Sequence, residues 1–211
     1  MAFTAPVKTS NFELPPAGTH VARLVWLIDI GTRVDEIYGK ERRQIFWMFE
    51  LPNELMKPDE NGVQHPFTAS QFLTRSMSEK ANLRKQLEGW RGQAFTDAQA
   101  EQFDISSVVN VPAFLNVIHR QKHNSSDMKA EIASISRLPK GMDCPPAINE
   151  VLILDLDNFD QSVFDKLSDG IKGVIQKSNE WDIISGKVNP MPPNPLAKNP
   201  NPDDFMDDVP F

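Results

Sequence analysis

The chain has 211 residues, 40% of them hydrophobic, with 17 prolines and one cysteine, which is enough for one proper core but not two. The single Cys144 excludes an internal disulfide and fits a reducing compartment. The formal charge of −7 is uneven: residues 143–211 hold 5 Lys and no Arg against 13 Asp and Glu (net −8), while residues 1–142 hold the other 17 basic residues against 16 acidic ones (net +1), so a polyanionic partner is excluded for the second part only.

The opening "MAFTAPVKTSNFELPP" has no apolar run of signal-peptide length, and no stretch approaches the ~18 apolar residues of a membrane span. No membrane partner and a cytoplasmic location are expected. The first clear periodicity is "AGTHVARLVWLIDIG", where Ala22, Leu24, Trp26, Ile28 and Ile30 alternate with Val21, Arg23, Val25, Leu27 and Asp29. It predicts a long strand closed by Gly31. "RRQIFWMFELP" alternates likewise, with Arg43, Ile45, Trp47, Phe49 and Leu51 on one side and Arg42, Gln44, Phe46, Met48 and Glu50 opposite, and Pro52 is expected to stop it. "TASQFLTRSMS" gives a third strand.

The period then changes to that of a helix. In "SEKANLRKQLEGWRG", Leu83, Leu87 and Trp90 share one face, Ser76 or Ser78 is a candidate cap and Gly92 a candidate stop, while Lys80, Arg84 and Arg91 read as solvated surface. "TDAQAEQF" carries Thr96 and Gln99 at capping-box spacing. "PAFLNVIHRQKH" and "DMKAEIASISRLP", joined by "NSSD", predict a hairpin. Three strands, a helix and two strands is the order of the OB-fold, a partly open five-stranded barrel whose strand 2–3 face and 1–2 and 4–5 loops bind oligonucleotides. An unrelated five-stranded α+β domain fits the order as well. The expected organisation is an OB domain over residues 1–147 and a helical extension over 148–184, with Val163, Phe164 and Leu167 on one helix and Ile171, Val174, Ile175 and Trp181 on a second. These helices pack on the barrel or on a second copy, so a homo-oligomer is compatible. Residues 185–202 contain six prolines and no acid, the composition of a tether. The acidic tip is 203–211.

For catalysis, "DLDNFD" brings Asp155, Asp157 and Asp160 together, but Phe159 and Asp160 occupy the positions where a calcium loop needs Asp or Asn and then Gly. Helix capping accounts for these acids better, and a metal-dependent nuclease is the weaker alternative. His119 and His123 lie four residues apart, about 13 Å on a strand, too far to share one zinc ion. With no GxSxG, phosphate loop or paired cysteines, neither an enzyme nor a metal or other cofactor is expected.

Binding of single strands needs a basic groove and aromatic faces for the bases. "GTRVDEIYGKERRQIFWMFE" supplies Arg33, Lys40, Arg42 and Arg43 with Tyr38 and Phe46, Phe46 being the stacking candidate because Trp47 faces the core. The third strand adds Phe72 and Arg75, and the 4–5 loop adds Lys122, His123 and Lys129. The chain ends in "DDFMDDVPF", where Asp203, Asp204, Asp207 and Asp208 surround an apolar pair and Pro210 precedes Phe211. Phe211 with its carboxylate suits a small apolar pocket edged by Arg or Lys.

That ending resembles the C-terminal tip of bacterial and phage single-stranded DNA-binding proteins. The body, in "LPPAGTHVARLVWLIDIGT", "FWMFELPNE", "SEKANLRKQLEGWRGQAF", "FLNVIHRQ" and "GVIQKSNEW", resembles such proteins of tailed phages over most of residues 13–184. The resemblance implies an OB-fold coating single-stranded DNA in phage replication, recombination or repair, inside a bacterial host cytoplasm. It also implies a tip that recruits replication and recombination proteins and competes with DNA, the role falling on Asp203, Asp204, Asp207, Asp208, Pro210 and Phe211. Phe205 and Met206 interrupt the acids and depart from the bacterial pattern. An adaptor that uses the barrel only to bind proteins is the rival expectation.

Overall fold

The computed structural model describes residues 13–34, 39–122 and 126–187. Tyr38, His123, the tether from 188 and the whole acidic tip lie outside them. The described chain is mainly β, an antiparallel sheet with several short helices. Its strands are β1 (Gly18–Val34), β2 (Glu41–Leu55), β3 (Pro66–Thr74), β4 (Pro112–Gln121), β5 (Met128–Ser136) and β6 (Leu152–Leu154). The helices are α1 (Asn82–Arg91), α2 (Asp97–Glu101), α3 (Gln161–Lys166), α4 (Asp169–Ile175) and α5 (Asn179–Ile184).

The path across the sheet is β3-β2-β1-β4-β5, with β6 parallel to β1. β1 organises the whole because it serves three partners: β4 along Gly18–Arg23, β6 along Trp26–Ile28 and β2 from Arg23 to Val34. Its central "LVWLIDI" is apolar almost without interruption, as a strand covered on both faces requires. The register shifts between Leu24 and Trp26, and this changes which face the alternation serves. Ala22, Leu24 and Leu27 enter one core, whereas Ile28 and Ile30 enter a second core, with Trp26 packed against it. The strict alternation expected along β1 therefore fails at this bulge. Neither Gly31 nor Pro52 ends its strand; each sits at or inside a register irregularity that the strand passes through.

The first core lies under α1. Leu83, Leu87 and Trp90 meet Ile45, Trp47, Phe49, Leu115 and Ile135, with Trp47, Phe49 and Trp90 in mutual aromatic contact at centroid distances of 5.5–6.1 Å. Gly89 lets the helix approach: a Cβ there would lie 2.6 Å from the Ile135 carbonyl oxygen. Gly92 caps α1 in the left-handed region, as expected, but the N-cap is Ala81 and no serine side chain caps the start. Arg84 is not solvated surface. It is buried and donates to Glu88, Asp97 and the Met77 and Phe95 carbonyls. Burial opposes its charge, yet those carboxylates outweigh the loss and raise its pKa. The Thr96/Gln99 capping box forms at α2.

The second core joins the sheet's outer face to the C-terminal extension, which comprises three helices where two were expected, plus the short β6. Ile28, Ile30 and Phe46 pack against Leu152, Leu154, Leu156, Phe164, Leu167, Ile171 and Ile175. At about 1.5–3 kcal/mol for each fully buried side chain, this layer contributes on the order of 10 kcal/mol. Sheet and extension share this one buried cluster, so the extension is part of the fold and not a loose cover.

Two residues opposite each other on β1 and β2 pin the chain as it crosses to this layer. Arg23 donates to the Asn110, Cys144 and Pro145 carbonyls, and fully buried Glu50 accepts from the Ile148 and Asn149 backbone N–H groups and the Asn149 side chain. At the far end Gly31, with φ of +78°, receives the start of α5. A Cβ there would fall 2.5 Å from Ser178 Oγ and 2.6 Å from Glu180 Oε2.

Candidate nucleic-acid interface

The basic residues of the β1–β2 hairpin and of the end of β3 divide into two sets. Arg43 and Arg75 turn toward Asp29, which is 3% exposed. Arg43 donates to Asp29 Oδ2 through Nε and Nη2 at 3.0 and 2.5 Å, and Arg75 Nη1 reaches the same oxygen at 2.8 Å. Asp29 Oδ1 accepts from the Gly31 N–H. The extension adds Asp157, 2.9 Å from Arg43, with Asp155 and Glu180 further out at 3.4–3.9 Å. Burial works against the Arg43 charge, but the hydrogen bonds to Asp29 and Asp157 and their attraction outweigh it and raise its pKa further. Glu180 also accepts from Thr32 N and Oγ1, both at 2.6 Å.

This network bears on the expectation for Arg43 and Arg75, which are paired within the molecule although Arg75 stays exposed. Their guanidinium groups are held by carboxylates of the same molecule, so they offer phosphate little uncompensated charge. For Phe46 the expectation is corrected. Its side chain does leave the first core, as its parity requires, but the extension covers it to 6% exposure and its ring has no open face for a base. Asp155 and Asp160 act as caps, accepting from the Asp157 and Ser162 N–H groups.

The other set stands at the hairpin's open end. Arg33 lies directly across from Arg42, with exposed Lys40 close by in sequence. The ladder therefore sets two like charges at directly opposed positions, an arrangement suited to meeting an anion. One strand further, the Phe72 ring is 51% exposed on β3, set against Phe46 at a centroid distance of 5.1 Å. Phe46 thus supports an exposed ring instead of presenting its own.

A second like-charge pair, Arg120 opposite Lys129, lies near the β4–β5 turn, and both reach Glu131, at 3.6 and 3.4 Å. Lys122 is 3.9 Å from Asp127. The ladders put this turn beyond the Gly18 end of β1 and the Arg33–Arg42 pair at its Val34 end, about 50 Å apart along a straight strand. His119 Nε2 lies 2.8 Å from the Pro15 carbonyl oxygen. Among the described residues no three His, Cys, Asp or Glu side chains gather as a metal site would require.

No protein-family model matches this chain, and no curated protein matches it significantly. Residues that sequence reasoning passed over are Asp29, Thr32 and Glu180. Asp29 carried a signal, a lone carboxylate inside "LVWLIDIG", which must be paired if that strand is buried. No helix among the described residues is long and apolar enough to cross a membrane.

Proposed function

We propose that this chain binds single-stranded DNA without sequence preference on an OB-type barrel, and that its acidic end recruits proteins of DNA replication, recombination or repair. The barrel reading draws on the β3-β2-β1-β4-β5 path, on α1 falling between β3 and β4, and on β3 and β5 approaching each other. The observation that carries the functional reading is the opposed pair Arg33 and Arg42, beside Lys40 and one strand away from an exposed aromatic ring. Phosphates neutralise the pair and release counterions, which makes affinity fall with salt. A base stacks on Phe72, supplying about 1–3 kcal/mol that salt weakens less. The strand then runs across the outer side of β3 toward the basic residues of the β4–β5 turn. Asp203, Asp204, Asp207 and Asp208 compete for the same cations until DNA displaces them.

The deciding experiment is a fluorescence-anisotropy titration of the full chain with labelled oligo(dT) over a range of salt. Saturable binding that weakens steadily with salt is expected. No binding at low salt refutes the reading in favour of the adaptor, and cleavage of the oligonucleotide only when magnesium is added would establish the nuclease. Removing residues 203–211 should tighten binding at low salt.

A further inference from the structure

A cleft of about 380 Å³ opens where the end of the sheet meets β6 and the 3-10 turn Ile105–Val108. Buried Leu27, Ile45 and Leu154 give it an apolar base, and Phe103, Ile105 and the 44%-exposed Ile153 give it apolar sides. Its polar residues lean strongly to one sign. Asp29, Asp104 and Asp155 line it against the single cation Arg75. Including the network behind them, the neighbourhood holds five carboxylates (Asp29, Asp104, Asp155, Asp157 and Glu180) against two guanidinium groups, Arg43 and Arg75, a formal −3. The wall contributed by β6 is also a strand edge. β6 pairs with β1 on one side, and among the described residues no strand pairs with the other.

We propose that this cleft is a protein-docking site that takes an extended peptide carrying lysine or arginine between apolar residues. An extended segment can add to the open edge of β6 through its main chain, while apolar side chains settle on Leu27, Ile45 and Leu154 and basic ones reach Asp104 and Asp155. The local charge selects against nucleic acid, because phosphates brought to this rim face an excess of carboxylates. The site is separate from Arg33, Arg42 and Phe72, and the inference does not depend on DNA binding.

The test uses the full chain and two labelled probes: a short acetylated, amidated peptide of alternating valine and lysine, and its valine–glutamate counterpart. The lysine peptide should bind and shift the amide resonances of 103–106 and 152–155, while the glutamate peptide should not. Ile153→Arg, at an exposed position, should weaken binding by about tenfold or more, and Asp104→Asn, which keeps the cap on Ser106, by about threefold. Equal binding of both peptides, no binding of either, or shifts elsewhere would overturn the proposal. If oligo(dT) moves the same resonances instead, the cleft belongs to nucleic acid and the peptide reading is wrong. Both variants should keep the wild-type melting curve, which separates a lost site from a lost fold.

Discussion

Arg42 and Arg43 are neighbours in the chain and opposites in the molecule. Arg43 is drawn into a carboxylate network centred on Asp29 and anchored by the extension, while Arg42 faces Arg33 across the open end of the hairpin. The first arrangement uses positive charge to join two layers of the fold; the second sets two positive charges side by side at the end of the ladder. An arginine count along this hairpin therefore overstates its capacity for phosphate. What separates Arg43 from Arg42 is the parity of the strand, which puts Arg43 on the face of Ile45 and of Asp29, the ladder partner of Ile45.

The comparison breaks most visibly at Arg43. Arg43→Ala leaves a carboxylate that is nearly buried without its main partner, and should cost about 3–5 kcal/mol in urea denaturation. DNA affinity at a temperature where the variant is folded should stay within about twofold of wild type. A small stability loss with a large affinity loss would reverse the roles assigned to the two sets. Next in size is Phe72→Ala, which should weaken oligo(dT) binding by about 1–3 kcal/mol and leave the salt dependence almost unaltered, as read from titrations at several salt concentrations. A loss that vanishes at high salt would mean that Phe72 acts only by supporting nearby cations. The double variant Arg33→Ala/Arg42→Ala should lower the log–log salt slope by about 1.4, two phosphate contacts at 0.7 each. An unchanged slope would remove the hairpin end from the interface.

Much of the first core was legible because alternation is local. Ile45, Trp47 and Phe49 share a parity, Leu83, Leu87 and Trp90 share a helical face, and both sets meet in the structure. The face change along β1 was not legible, since a bulge between Leu24 and Trp26 leaves no mark in an apolar run where every residue is compatible with burial. Phe46 shows the same limit at longer range. Its parity away from the first core was correct, but what covers that side is set by chain more than a hundred residues later, and short helices such as α3–α5 do not announce where they dock. The candidate site was therefore readable as a stretch of sequence and unreadable as a surface. Lys40 and Phe72 are exposed and Arg33 and Arg42 half-buried, whereas Phe46 is covered by the extension and Arg43 and Arg75 pair with Asp29, Arg75 while still exposed, through contacts that composition does not reveal.

Gly31 has a consequence for how this sequence can vary. The first strand and the last helix meet there with no room for one additional carbon, since a Cβ would lie 2.5 Å from Ser178 Oγ. Position 31 and the segment 178–180 are therefore bound to change together. A lineage that lost the glycine would have to shorten or redirect its final helix in the same step, so suppressors of Gly31→Ala should be recovered at the other end of the gene.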